Sequence, residues 1–331
     1  MPLRTSSRWY ASPSRLLAAA MLLQQLLWPV VSATGYARCK STPGTPLWPT
    51  ELEWAKLDAS LTPLSTSSTN GSGRLFVPTP PAAPCHASQA SAYNATLCSS
   101  VIQPGWTTWA FHSADPVSTC LDNWNNDTCL PVSDDVAPCS GAGYPGRVVN
   151  VSSSADVAAA VLFARQHDLR LVVKSTGHDF MGRSGAPNSS LSIWTHHLAP
   201  PAVPIVLHGA GEFVPQGCSA DVAAKFKAEG ATTMTAGAGT MMRQIFETLD
   251  AHNLTTIGGG GETVSLGGYV TGGGHGLLSP RRGLAADLVV EIEIVMADGS
   301  VKTINECQND DLFWAVRGVR ATALESSGPP T

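Results

Sequence analysis

Lys174-Ser175-Thr176-Gly177-His178-Asp179 places an amine, two hydroxyls, an imidazole and a carboxylate within six residues, directly after the strand-like stretch 169–173. Small residues that follow a strand at once expose backbone N–H groups, which can form a concave nest for a pyrophosphate. Gly177 permits both the backbone reversal and a close approach of ligand. His178 would project from a rigid turn, which suits a bond-forming role. The plainer reading of any one histidine is a packed or exposed side chain, so the rest of the chain must decide.

A second cluster is Gly267-Gly268-Tyr269-Val270-Thr271-Gly272-Gly273-Gly274-His275-Gly276, followed by Arg281-Arg282-Gly283-Leu284-Ala285-Ala286-Asp287. Three consecutive glycines keep Cβ atoms out of the path of a flat or phosphate-bearing ligand. A flexible linker would also be rich in glycine, but it would not need the apolar residues on both flanks. A third stretch, Gly237-Ala238-Gly239-Thr240-Met241-Met242, begins like a dinucleotide fingerprint and lacks its third glycine, which makes a nicotinamide-binding fold the weaker alternative.

The elements that must position these residues follow from pattern. Residues 147–151 read as a strand, and Ser154 as the cap of a helix with Asp156 in its first turn. Val157, Ala160, Val161 and Ala164 fall at helical spacing, and 169–173 as a buried strand completes one βαβ unit. Residues 233–236 read as a strand, with Thr240 capping a helix over 241–252. The stretch 288–296 alternates like a half-buried strand and turns at Ala297-Asp298-Gly299 into a partner at 300–304. Residues 312–317 read as the start of a helix. By contrast, 34–143 is rich in proline and cysteine, with poor periodicity. It reads as an irregular, disulfide-stapled region, with a partly disordered arm as the competing view.

Composition narrows the classes. The chain has 331 residues, 43% hydrophobic, with a net charge of -5. That is enough for a real core, and the absence of a basic stripe argues against nucleic acid. Arg4, Arg8 and Arg15 precede the apolar run 16–31, and Val31-Ser32-Ala33 offers small residues for cleavage. This predicts a signal peptide over 1–33, removed on export, with a membrane anchor as the rival and no membrane span after cleavage. The expected location is the secretory lumen or outside the cell. Eight cysteines fit disulfides there, and the lack of a CxxC pair gives no reason to expect a metal. Sequons at Asn70, Asn94, Asn126, Asn150, Asn188 and Asn253 predict some glycosylation.

Four ordered motifs now carry a family resemblance over roughly 140–318. They are Val172-Val173-Lys174-Ser175-Thr176-Gly177-His178-Asp179; Gly182-Arg183-Ser184 with Leu191-Ser192-Ile193-Trp194-Thr195-His196; Gly267 to Asp287; and Asp310-Asp311-Leu312-Phe313-Trp314-Ala315-Val316-Arg317-Gly318. The chain resembles the berberine-bridge-enzyme-like FAD-linked oxidoreductases of the vanillyl-alcohol-oxidase superfamily, especially the secreted fungal ones. The resemblance implies an α+β, two-subdomain PCMH-type FAD-binding domain at 144–318, after the Cys/Pro-rich region 34–143. It implies FAD held by Lys174, Ser175, Thr176, Gly177, His178, Asp179, Ser184, Gly268, Gly272, Gly273, Gly274, Gly276 and Asp287.

In the family, a histidine at the position of His178 bonds the flavin 8α-methyl carbon. Some relatives add a cysteine just before the Gly-Gly of the second motif. Gly260, Gly261, Glu262 and Thr263 stand there, so a single covalent link through His178 is expected. His196, His197 and His275 read as structural. The implied reaction is oxidation of a small molecule (an alcohol, a sugar or a secondary metabolite) by hydride transfer to FAD, with O2 as electron acceptor. The resemblance implies a following substrate-binding sheet domain, which this reading expects to be missing, with 319–331 reading as an aberrant tail. No residue is assigned as catalytic base, and a non-catalytic flavin-binding remnant is the alternative.

Overall fold

The structure is a computed structural model that describes residues 39–62, 74–132 and 139–318. The expected signal peptide, Asn70 and the tail lie outside the described residues. In chain order the main elements are α1 (Glu51–Ser60), β1 (Leu75–Phe76), α2 (Trp109–Ala114), β2 (Arg147–Asn150), α3 (Ser154–Gln166), β3 (Arg170–Lys174), β4 (Ser190–Trp194), β5 (Val206–His208), α4 (Ala220–Glu229), β6 (Thr233–Thr235), α5 (Met242–Asp250), α6 (Leu266–Thr271), β7 (Glu291–Val295), β8 (Val301–Asn305) and α7 (Asp310–Val316).

One mixed sheet has the order β1-β2-β4-β3. Strands β2, β4 and β3 run parallel, and β1 adds antiparallel to the edge. The βαβ unit is present, but its two strands are not neighbours, because β4 inserts between them. All five residues of β4 are buried, as a central parallel strand requires. The two faces follow the strand period of two. Val149, Leu191 and Ile193 pack against Ala160 and Ala164 of α3, while Val148 and Trp194 face the disulfide-bearing N-terminal region.

The described residues of that region form more regular structure than their composition suggests. Thr50 and Glu53 form a reciprocal capping box at the start of α1, with Glu53 N donating to Thr50 Oγ1 at 3.3 Å and Thr50 N to the Glu53 carboxylate at 2.7 Å. Trp54, Leu57 and Leu61 then bury onto α3. Asp156 binds both sides of this contact, accepting from Thr62 N at 2.7 Å and Ser152 N at 2.9 Å.

Disulfides join Cys85 to Cys98, Cys129 to Cys139 and Cys218 to Cys307, while Cys39 and Cys120 are free thiols. Two smaller antiparallel pairs complete the fold. β5 and β6 share a core with Met242, Ile245 and Leu249 of α5. β7 and β8 share one with Phe313 and Val316 of α7.

Two caps differ from expectation. Ser153, extended at φ -148, caps α3 in place of Ser154, and its Oγ accepts from Asp156 N at 3.2 Å. Helix α5 starts after Met241, whose N–H donates to Gln244 Oε1 at 2.9 Å. Thr240 instead gives its carbonyl to Leu266 N. Among the sequons, Asn94, Asn126, Asn188 and Asn253 are exposed, whereas Asn150 lies in β2 and its Oδ1 accepts from His197 Nδ1 at 2.7 Å. Among the described residues, no helix is long and apolar enough to cross a membrane.

Candidate functional site

Parallel strands present their loops at their carboxyl ends, where ligands of such sheets bind. Here the loops after β3 and β4 meet two glycine-rich segments. Thr195 Oγ1, just after β4, donates to the Lys174 carbonyl at 3.4 Å. A Cβ on Gly239 would lie 2.3 Å from Thr195 O, and one on Gly267 would lie 2.9 Å from the Ala238 Cβ. The segments around 174, 195, 238 and 267 thus form one continuous wall.

Lys174 anchors the first loop. Its side chain is 1% exposed. Nζ donates to the Asp115 carbonyl at 2.7 Å and the His112 carbonyl at 3.4 Å. Burial lowers its pKa to about 8, with Asp115 opposing the shift, so the ammonium survives at neutral pH. Gly177 has φ +78, and Cys120 N donates to its carbonyl at 3.1 Å. A Cβ there would meet Ser118 O at 3.0 Å, so glycine is required for both reasons.

His178 is the centre of the wall. Its Nε2 is hydrogen-bonded to Thr263 Oγ1 at 2.7 Å, and its ring stacks on Trp109 at 4.7 Å and 7°. Burial, reinforced by the nearby Lys174 cation, lowers its pKa to about 4. The imidazole is neutral at physiological pH and keeps a nucleophilic lone pair. Burial opposes charge on Asp179, but hydrogen bonds from Arg183 prevail and hold its carboxyl below the usual range. Asp179 Oδ2 accepts from Arg183 N at 2.7 Å and closes the turn.

The glycine cluster is built differently. Gly273 and Gly274 have φ +92 and +68, and their carbonyls accept from Ala286 N and Ala285 N. Gly276 packs so closely that a Cβ would lie 2.2 Å from Gly258 O, whereas over Gly260 and Gly268 a Cβ would meet nothing within 4 Å. Asp287 is exposed and accepts from Leu284 N at 2.7 Å, closing its own turn.

His196 stacks on Trp194 at 5.4 Å, and His275 lends its carbonyl to the Tyr269 hydroxyl at 2.8 Å. Of the described residues, His86, Cys129 and Cys139 are grouped closely enough to suggest a metal, but the disulfide between the two cysteines removes their thiolates.

FAD fits these residues. Ser175, Ser184 and Thr240 each carry a buried hydroxyl without a hydrogen-bond partner, on or beside the loops that line the wall. Such groups are costly unless a ligand or water completes them. The bare faces of Gly260 and Gly268 leave room for a flat or phosphate-bearing group at the same wall. Sequence reasoning did not find Trp109 or a role for Thr263. The Thr108 cap, accepting from Phe111 N at 3.3 Å, is the local signal that could have placed Trp109 on a helix.

Comparison with known proteins agrees with this geometry. Residues 224–305, which include Thr263 and the glycine cluster, match an FAD binding domain. The chain is 34% identical to a VAO-type flavoprotein oxidase of Thermothelomyces thermophilus, over 85% of this chain and 44% of the relative. It is 33% identical to the FAD-linked oxidoreductase ZEB1 of Gibberella zeae, with the same coverage of 85% and 44%. The crystal structure of a VAO-type flavoprotein from Myceliophthora thermophila superposes with a TM-score of 0.72 at 32% identity, covering 85% of this chain and 46% of that one.

The chain is therefore a homologue of fungal FAD-linked oxidoreductases of the vanillyl-alcohol-oxidase superfamily and shares their FAD-binding fold. It spans less than half the length of these relatives.

Proposed function

We propose that this chain binds FAD through a single covalent bond from His178 and serves an FAD-dependent oxidation of a small molecule. The observation that supports this most is His178 itself. It is neutral, stacked and hydrogen-bonded where the loop after β3 meets the glycine-rich segments. When bound, FAD supplies the two-electron acceptor for a substrate hydride, and O2 is the proposed final acceptor.

The chain's own residues prepare the place. Lys174 and Gly177 fix the loop, and Gly268 leaves a bare face for the cofactor. Ser175, Ser184 and Thr240 offer hydroxyls to its polar groups. The substrate class proposed is an alcohol, a sugar or a secondary metabolite, and secretion is part of the same reading. Three disulfides support the latter, since such bonds persist in oxidising compartments.

The test is expression of the full chain with FAD, followed by acid precipitation. A yellow pellet that His178→Ala abolishes is the expected result. A colourless pellet from soluble, FAD-exposed protein contradicts covalent binding.

A further inference from the structure

Two separate parts of the chain converge on the His178 ring. Trp109 comes from α2, and Thr263 comes from the link between α5 and α6. The helix that carries Trp109 and the link that carries Thr263 are each tied down by other bonds. His112, also on α2, is hydrogen-bonded through Nδ1 to Ser118 Oγ and through Nε2 to the Trp106 carbonyl, each at 2.6 Å, while its own carbonyl receives Lys174. The Thr263 segment is tied to the start of α5, with Met242 N donating to Val264 O and Arg243 N to Glu262 O, both at 2.9 Å. Thr263 is 7% exposed, so water has little access to compete for its hydroxyl.

A neutral imidazole carries one proton, and the nitrogen without it is the nucleophile. Thr263 occupies Nε2, and Nδ1 has no hydrogen-bond partner among the described residues. We propose that Thr263 and Trp109 are positioning residues for covalent flavin attachment. The Thr263 hydroxyl accepts the Nε2 proton, Trp109 fixes the ring plane, and Nδ1 is left as the bonding atom.

This rests on the reading of His178 as the flavin anchor. Attachment forms a bond from Nδ1 to the 8α carbon and releases two protons, one from that carbon and one from Nε2 once Nδ1 is alkylated. Two electrons remain, and dioxygen, the oxidant, carries them away as hydrogen peroxide.

The experiment uses the full chain and two readouts. The first is the rate of acid-stable flavin formation after FAD is added to flavin-free protein, with reversible FAD binding measured beside it. Thr263→Val slows attachment about tenfold, the lower end of what losing a histidine's hydrogen-bond partner costs at metal sites. Reversible binding is retained, and Thr263→Ser restores the rate. Trp109→Ala also slows attachment, and Trp109→Phe restores part of it.

The second readout needs no flavin. Nitrogen NMR of the His178 ring in the flavin-free protein shows the proton on Nε2, and Thr263→Val shifts the population toward Nδ1–H. Wild-type protein that labels while Thr263→Val labels equally fast overturns the role of Thr263 alone. Wild-type protein that never acquires acid-stable flavin overturns the anchor reading and the positioning role together. A ring protonated on Nδ1 in the wild type overturns the assignment of Nδ1 as the bonding atom, whatever the flavin result.

Discussion

The loop after β3 and the glycine segments line the same wall, yet charged and ring side chains do most to secure one and close backbone approaches most to shape the other. In the first, the Lys174 ammonium, the Asp179 carboxylate and the His178 ring each bond to specific partners. In the second, backbone approaches backbone, as at Gly276 over Gly258 and Gly239 against Thr195. The difference follows from task. A residue that forms a bond needs a fixed orientation and proton, which directional hydrogen bonds supply. A surface that receives a flat or phosphate-bearing group needs room, which missing Cβ atoms supply.

Substitutions within the glycine segments test this most strongly. Gly276→Ala forces a Cβ to 2.2 Å from a backbone oxygen. It should lower stability by about 3 kcal/mol, measured by urea denaturation, since backbone there cannot yield easily. Gly268→Ala lies within α6 where a Cβ meets nothing, so its stability should change by less than about 1 kcal/mol. Its affinity for FAD should nevertheless fall. Equal stability loss in the two variants would break the distinction between packed and ligand-facing glycines.

Lys174→Met tests the other region. It leaves the Asp115 and His112 carbonyls without their donor, and should cost about 2 kcal/mol of stability. It also removes the cation that adds to burial in depressing the His178 pKa, which should rise from about 4 in an NMR titration. An unchanged His178 titration would show that burial alone sets it.

The smallest effect concerns pH. His178 and His196 titrate near 6.5 when unfolded and at about 4 when folded. Burial leads both shifts; Lys174 follows for His178, and His197 then Lys174 for His196. Between these values the unfolded chain holds more protons, so stability declines as pH falls from 6.5 to 4. For these two groups the decline ends below about 4. Denaturant midpoints across that window should slope less in His178→Asn.

Much of the wall was legible in sequence because its signals are local. A β-branched run ending in small polar residues marks the end of β3, and alternation around Glu291 and Glu293 marks β7. The order of the sheet was not legible, because nothing local in β2 or β3 says that β4 will insert between them. Helix α1 was missed although Trp54, Leu57 and Leu61 stand at helical spacing, since surrounding proline and cysteine hid the pattern. Thr263 was noted only as a place without cysteine. Its contact with His178 spans 85 residues, which spacing cannot reveal.

The central claim is that His178 carries the flavin. Mass spectrometry of the tryptic peptides from this 331-residue chain incubated with FAD tests it directly. The account predicts one modified peptide, containing His178, heavier by the mass of FAD less the hydrogens lost on attachment. An unmodified His178 peptide from protein that binds FAD reversibly would contradict it.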